Sequence, residues 1–325
     1  MKIAVTGASG HVGANLCRVL IAKGCEVNVL AFNDKRGFEG LKVNSIKGDL
    51  LDPKSLDNFV KGCDVVVHLA AQISISGDKG GQVYKTNVEG TRNIVNKALE
   101  HEVKKFVHFT SIHAFNQFPL EETLDESRPL VNGNALAYDR SKAEGERIVM
   151  EAVDKGLNAV ILSPTSILGP HDYKPSFVGR VLIKMYKGEL PALVSGGYDW
   201  VDVRDVVDGT VGAIEYGKKG EKYLLSGNWL SIPELSKVVG IVTGKNTPKW
   251  VCPTWLAKAG LPIMNMVDKM KGDESLYTRD SLNILVTGNR KICSEKARVQ
   301  LGFMPRSIEV TLDDTYDWFK RNGHL

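Results

Sequence analysis

The chain opens with a short apolar run, Ile3 to Val5, that gives way to "TGASGHVG" and then to apolar residues at helical spacing, Val12, Leu16, Val19 and Leu20. Glycines fall at 7, 10 and 13. Lacking a Cβ, glycine lets a chain leave a strand in a tight turn and bring its backbone close to a phosphate, and the last of three lets the following helix pack on the strand. The helix start then offers unpaired N–H groups and the positive end of its dipole to a pyrophosphate. The stretch predicts strand, phosphate-binding turn and helix, the first unit of a dinucleotide fold. Its spacing is G-x-x-G-x-x-G, one residue wider than the commoner G-x-G-x-x-G.

The same alternation continues for half the chain. Glu26 to Phe32 and Val43 to Lys47 read as strands, and Pro53 to Val60 as a helix with proline in its first turn. "DVVVHLA", Asp64 to Ala70, is nearly all apolar, as a strand covered on both faces should be. Asn87 to Leu99 and Ser141 to Val153 read as helices, Phe106 to Thr110 and Ala159 to Leu162 as strands. The order predicts an α/β fold: a Rossmann-type, doubly wound parallel sheet. After Pro164 prolines and glycines become frequent, with helical pieces at Phe177 to Tyr186, Ile232 to Val242 and Ser294 to Leu301. The expected division is a dinucleotide-binding domain over 1–164, with 196–227 returning to it, and a smaller C-terminal substrate-binding lobe over most of 165–325.

Composition narrows the function by exclusion. The net charge is +4 over 325 residues, and Lys and Arg are scattered, so nothing points to nucleic acid or an anionic membrane. The five cysteines have no C-x-x-C spacing and read as reduced thiols of a cytoplasmic protein. No metal-ligand spacing is present. A strand at the very start argues against a signal peptide. The longest apolar stretch, Trp255 to Val267, is broken by Lys258 and too short to span a bilayer, so it is expected to line an interface or a pocket.

The second strand ends "VLAFNDKR". Ala31 stands where an NAD site usually carries an acid for the ribose hydroxyls, Asp34 comes late, and Lys35 and Arg36 follow. A guanidinium suits a 2′-phosphate, so NADP is expected over NAD, with Phe32 and Arg36 at that end. Asp49, after the third strand, can accept from an adenine amino group; Asp52 is the better helix cap. Far along the chain, "YDRSK" sets Tyr138 and Lys142 one helical turn apart. An ammonium about 4 Å from a phenol contributes roughly 4 kcal/mol at an effective dielectric near 20, or about three pKa units. The pair is thus expected to bring the tyrosine down toward neutrality, where proton transfer works best. "FVHFTS" supplies Ser111 at the end of the fifth strand, able to bind a substrate oxygen as its charge changes.

Together "TGASGHVG", "GDLLD", "HLAA", "TNVEGT", "FTS", "YDRSK", "SPTSILGP" and "WVDVRDVVDG" resemble the extended branch of the short-chain dehydrogenase/reductase superfamily, the NAD-dependent epimerase/dehydratase branch. The resemblance runs over essentially the whole chain. It implies a Ser111, Tyr138, Lys142 triad and a pyrophosphate loop of Gly7, Ser9, Gly10, His11, Val12 and Gly13. It implies cofactor contacts from Asp49, Leu50, Ala70, Ala71, Asn87, Pro164 and Ser166, with Tyr138 and Lys142 reaching the nicotinamide ribose. Gln72, His113 and Tyr173 are its expected substrate contacts. Nucleotide-sugar epimerases and dehydratases of the branch commonly carry an arginine just before the "V-x-D-V" stretch, where it binds phosphate. Here the segment is "GGYDWVDV", with Tyr198 in that place. "KPSFVGRVLIKMYKGELPALVSGG" is more similar to dihydroflavonol-reductase-like proteins, which reduce carbonyls with NADPH. A ketone or aldehyde reductase is therefore the expected activity, on a small-molecule carbonyl or alcohol, with a homodimer compatible. A nucleotide-sugar epimerase or dehydratase is the alternative. A non-catalytic dinucleotide sensor is the third reading, and such proteins generally lack the tyrosine or lysine. Tyr173, Phe177, Trp255 and Met264 suggest a partly hydrophobic substrate.

Overall fold

The computed structural model describes residues 1–74, 77–190, 192–270 and 278–325, with 263–270 described by backbone alone. The first half builds β1 (Lys2–Thr6), α1 (His11–Ala22), β2 (Glu26–Ala31), β3 (Asn44–Lys47), α2 (Pro53–Val60) and β4 (Val65–His68). A short helix α3 (Gln82–Tyr84) runs through a π-helical turn, Lys85–Glu89, into α4 (Gly90–Glu100). Then come β5 (Lys105–Phe109), α5 (Ala137–Asp154) and β6 (Ala159–Pro164). The second half contains β7 (Ser166–Leu168), α6 (Phe177–Lys187), β8 (Leu193–Val194), β9 (Gly197–Asp202), α7 (Val203–Tyr216) and β10 (Lys222–Leu225). It ends with β11 (Asn228–Ser231), α8 (Ile232–Thr243), β12 (Val251–Cys252), α9 (Thr254–Met270), α10 (Arg279–Thr287), α11 (Glu295–Leu301) and α12 (Ile308–Arg321).

Seven strands form one parallel sheet in the order β10-β6-β5-β4-β1-β2-β3. The order reverses between β1 and β4, and ligands of such sheets bind at that switch point, beyond the carboxyl ends of the strands. Both faces are covered, which is why the central strands are apolar throughout. One face packs on α1, α7 and α11 around Leu16, Val206 and Phe303; the other packs on α2, α4 and α5 around Phe59, Ile94 and Val149. β10 carries the chain back from the second lobe to the edge beside β6, in register Tyr223 with Leu162.

The second lobe has its own apolar core, shared by α6, α8, α9, α10 and α12 and including Leu182, Leu235, Leu282 and Phe319. Its three-stranded sheet, β11-β9-β7, leans against the carboxyl edge of the main sheet because β7 starts two residues after β6 ends. Among the described residues no helix is long and apolar enough to cross a membrane. All five cysteines are unpaired.

Candidate active site

The glycine turn is a backbone cradle. Gly7 has φ +71°, and a Cβ there would lie 2.7 Å from the Ala70 nitrogen, so a side chain is excluded by conformation and by space. At Gly13 a Cβ would come 2.3 Å from the Gly7 oxygen, so the third glycine lets α1 seat on the turn. Gly10 precedes α1 and no side chain caps the helix, leaving its first N–H groups to face whatever fills the cradle. These features fit a pyrophosphate. The loop after β2 closes over the turn, since a Cβ on Gly37 would lie 2.8 Å from the Ser9 carbonyl oxygen. Arg18 holds that loop by donating to the Gly37 carbonyl at 2.8 Å and also donates to the Tyr173 hydroxyl at 2.7 Å.

The remaining cofactor candidates border this cradle in different ways. Phe32 is 64% exposed. Arg36 is exposed and its guanidinium forks onto Asp34 at 2.6 and 3.0 Å. Asp49 accepts from the Leu51 N–H at 2.9 Å, and Asp52 caps α2 through the Lys54 N–H at 3.1 Å. Leu50 turns into the core against Gly90. Val12 is half-buried and packs on the core beneath the turn. His11 donates from Nε2 to the Gly169 and Pro170 carbonyls at 3.1 and 3.0 Å, so it ties α1 to the loop beyond β7.

A hydrogen-bonded line runs from this cradle to α5; Ala70, Gln72, Asn87 and Tyr138 in it are anticipated from sequence, and Thr6, His68, Thr91 and Ser141 are not. The Ala70 N–H donates to Thr6 Oγ1 at 3.2 Å, and Thr6 donates to His68 Nδ1 at 2.8 Å. His68 Nε2 meets Thr91 Oγ1 at 3.0 Å, and Thr91 donates to the Asn87 carbonyl at 2.6 Å. With the Thr91 proton committed, His68 must carry its own on Nε2, which leaves Nδ1 to accept from Thr6. Asn87 accepts from the Gln72 N–H at 2.7 Å and donates to Ser141 Oγ at 2.9 Å. Ser141 in turn donates to the Tyr138 carbonyl at 2.7 Å. The sequence signal for the line was a histidine inside an otherwise apolar strand. A second such histidine, His108, pairs in register with His68 and stacks on it at 5.5 Å.

Ser111 and Tyr138 meet where β5 ends beside the start of α5, and Lys142 lies one turn further along that helix. Ser111 is buried and its Oγ accepts from the His113 N–H at 3.2 Å. Burial pushes the Tyr138 phenol up to about 12, a hydrogen bond with Ser111 works the other way, and Asp139 raises it further. This corrects the sequence expectation of a tyrosine brought down toward neutrality: in the protein alone desolvation prevails. Burial also brings Lys142 down to about 8, and its Nζ donates to the Phe109 carbonyl at 2.5 Å. The lysine charge is therefore held by backbone at the end of β5.

Pro164 and Ser166 flank Thr165, whose hydroxyl donates to Asp199 at 2.7 Å. Gln72 has its backbone clasped at both ends by Asn87, and half-buried His113 follows Ser111 by two residues. Tyr173 lies elsewhere, between Arg18, His171 and Trp318, with ring centroids 5.1 Å apart for the last pair. Phe177 lines an apolar cavity beside Tyr198 and Trp200. Trp255 is 72% exposed, which argues against the pocket and leaves the interface of the two places expected for its stretch. The Met264 side chain lies outside the described residues.

A parallel sheet with a glycine cradle at its switch point is the frame of a dinucleotide-dependent enzyme. The chain belongs to the NAD dependent epimerase/dehydratase family, whose model matches residues 3–226. It is similar to sterol demethylase protein B of Methylococcus capsulatus, 31% identical over 330 residues and 100% of both chains. It is also similar to a putative dihydroflavonol 4-reductase of Synechocystis, 30% identical over 99% of this chain and 95% of that one. The crystal structure of gox2253 superposes with a TM-score of 0.86 at 30% identity, covering 100% of this chain and 99% of that one. The protein is thus an NAD(P)-dependent enzyme of the short-chain dehydrogenase/reductase type, acting on hydroxyl and carbonyl groups.

Proposed function

We propose that this enzyme reduces a ketone or aldehyde carried on an apolar body, in the manner of the dihydroflavonol-reductase-like proteins it resembles, and prefers NADP to NAD. The observation that carries this reading is the surroundings of Tyr198. Its ring borders a cavity of about 40 Å³ with Trp200, Phe177, Val181 and Leu285, and among the described residues no charged one lines it. A nucleotide-sugar diphosphate would need a cation there, and buried anions without a partner are costly. Trp200 pairs in register with Ser166, so the cavity adjoins the expected nicotinamide loop.

The residues fit the cofactor in order. Gly7, Ser9, Gly10, His11, Val12 and Gly13 would hold the pyrophosphate, Asp49 and Leu50 the adenine, and Phe32 and Arg36 the 2′-phosphate end. Ala70, Ala71, Asn87, Pro164 and Ser166 would border the nicotinamide half. When bound, the reduced dinucleotide supplies a hydride to the carbonyl carbon. Ser111 and Tyr138 bind the carbonyl oxygen through their hydroxyls, and Tyr138 gives that oxygen its proton. The Lys142 ammonium stabilises the phenolate that remains. A Tyr138 phenol raised to about 12 is protonated at neutral pH, the state a proton donor needs.

The test is NADPH oxidation against a panel of apolar ketones and aldehydes, with nucleotide sugars alongside. Tyr138→Phe should lower kcat by about 100-fold or more on any ketone turned over. Arg36→Ala should raise KM for NADPH far more than for NADH. A Tyr138→Phe enzyme as fast as wild type would overturn the mechanism. Turnover of nucleotide sugars alone would overturn the substrate class.

A further inference from the structure

The apolar stretch from Trp255 onward forms α9, and its exposed side has no use in the chemistry above. Ala257 and Leu261, one turn apart, face inward and join the second-lobe core. Trp255, Leu256, Ala259 and Pro262 face outward. Trp255 is 72% and Leu256 39% exposed, and just upstream Trp250 and Val251 are 58% and 38% exposed. A surface helix ordinarily turns charge to water; over 254–262 this one is apolar on its inner side and largely apolar on its outer side, with Lys258 its one charge there. Over 244–262 the sequence has three lysines, at 245, 249 and 258, and no Asp or Glu; the first acid of α9 is Asp268, near its end. Lys258 and Arg279 line one opening between α9 and α10, with Ala259 and Asn283.

We propose that this face docks on an anionic lipid surface. Tryptophan and leucine settle at the boundary between headgroup and hydrocarbon, and lysine and arginine stems reach past them to the headgroups. Cations near an anionic bilayer each strengthen such binding, and no acid falls among them over 244–262. A second copy of the chain is the poorer occupant, because a twofold contact would set this basic patch against itself. The attachment is peripheral, since no described helix is long and apolar enough to cross a bilayer. It does not depend on which carbonyl the enzyme reduces.

The experiment is co-sedimentation of the full chain with vesicles of phosphatidylcholine alone or mixed with phosphatidylglycerol, at low and high salt, alongside size-exclusion chromatography without lipid. Wild type should pellet with the mixed vesicles, less so at high salt, and its tryptophan emission should shift to the blue. Trp255→Ser with Leu256→Ser, and separately Lys249→Glu with Lys258→Glu, should each cut the bound fraction roughly fivefold or more. Both variants should keep the wild-type melting temperature, since the apolar pair and the lysine heads lie outside the core. Wild type left in the supernatant with mixed vesicles would overturn the proposal. So would equal binding of wild type and both variants. A lipid-free dimer that the Trp255→Ser, Leu256→Ser variant dissociates would assign the face to a second copy instead.

Discussion

At the scale of single residues, Lys142 is the group whose charge the site controls most directly. Burial brings it down to about 8 from an ordinary lysine value of 10.5. It is charged below that point and loses its charge as pH rises through it. Any step that needs the ammonium must therefore weaken above about pH 8, even though Tyr138, up at about 12, stays protonated there. Carbonyl reduction should fall on an alkaline limb centred near 8. Lys142→Arg, with a cation that stays charged, should move that limb to higher pH while lowering the plateau, because a bulkier, planar guanidinium does not seat as the compact ammonium does on the Phe109 carbonyl. A pH profile of kcat/KM for wild type and variant checks this. An alkaline limb that stays near 8 in the Lys142→Arg enzyme would exclude Lys142 as its source.

At the scale of elements, the turn between α3 and α4 does more than join them. Its π-helical geometry seats Asn87, 3% exposed, where it clasps the Gln72 backbone on one side and Ser141 of α5 on the other. Such single-turn widenings are common at functional sites. Asn87→Leu would leave the Gln72 N–H and carbonyl and the Ser141 hydroxyl short of a partner. The expected cost is about 2 kcal/mol or more in a denaturant melt, with a drop in kcat as α5 loses its tie to the loop after β4. A variant with wild-type midpoint and turnover would show the clasp to be idle. The contrast with Tyr138 and Lys142 shows what sequence can carry. Their spacing is local, four residues on one helix, and that helix was legible, as were the glycine turn and the first six strands with their alternating rhythm. The Thr6–His68 bond spans 62 residues and the Asn87–Ser141 bond 54, so no spacing encodes them. The phenol of Tyr138 was misjudged for a related reason: its proton affinity is governed by desolvation, which depends on everything packed around α5. In the second lobe α12 was missed although Ile308, Leu312, Tyr316 and Phe319 mark its buried face at helical spacing. Its neighbours α9 and α10 lacked that contrast, α9 because Trp255, Leu256, Ala259 and Pro262 on its outer side are also apolar.

At the scale of the whole molecule, the central sheet and the turn after β5 stake stability on neutral histidines. Burial brings His68 down to about 3 and His113 to about 4, and holds His108 well below the usual histidine range. An unfolded chain binds protons on these groups as pH falls below about 6.5, whereas the folded chain does not until near 4 or lower. Each therefore removes stability as pH drops through that window. Asp139 and Asp205 oppose them: burial raises these carboxyls to about 7 and about 6, so the folded state takes up their protons first and gains stability on acidification. The balance can be tested at His108, which lies 2% exposed in β5 with neither ring nitrogen hydrogen-bonded. Lys142 and the stacked His68 add to the burial that keeps it neutral. Phenylalanine keeps the aromatic stack and removes two unpaired polar atoms whose burial is costly. His108→Phe should therefore be at least as stable as wild type at pH 7 and lose less melting temperature between pH 7 and pH 5. A steeper acid loss in the variant would mean that His108 gains a proton in the folded state, and that the sheet beneath Tyr138 and Lys142 is wetter than its packing implies.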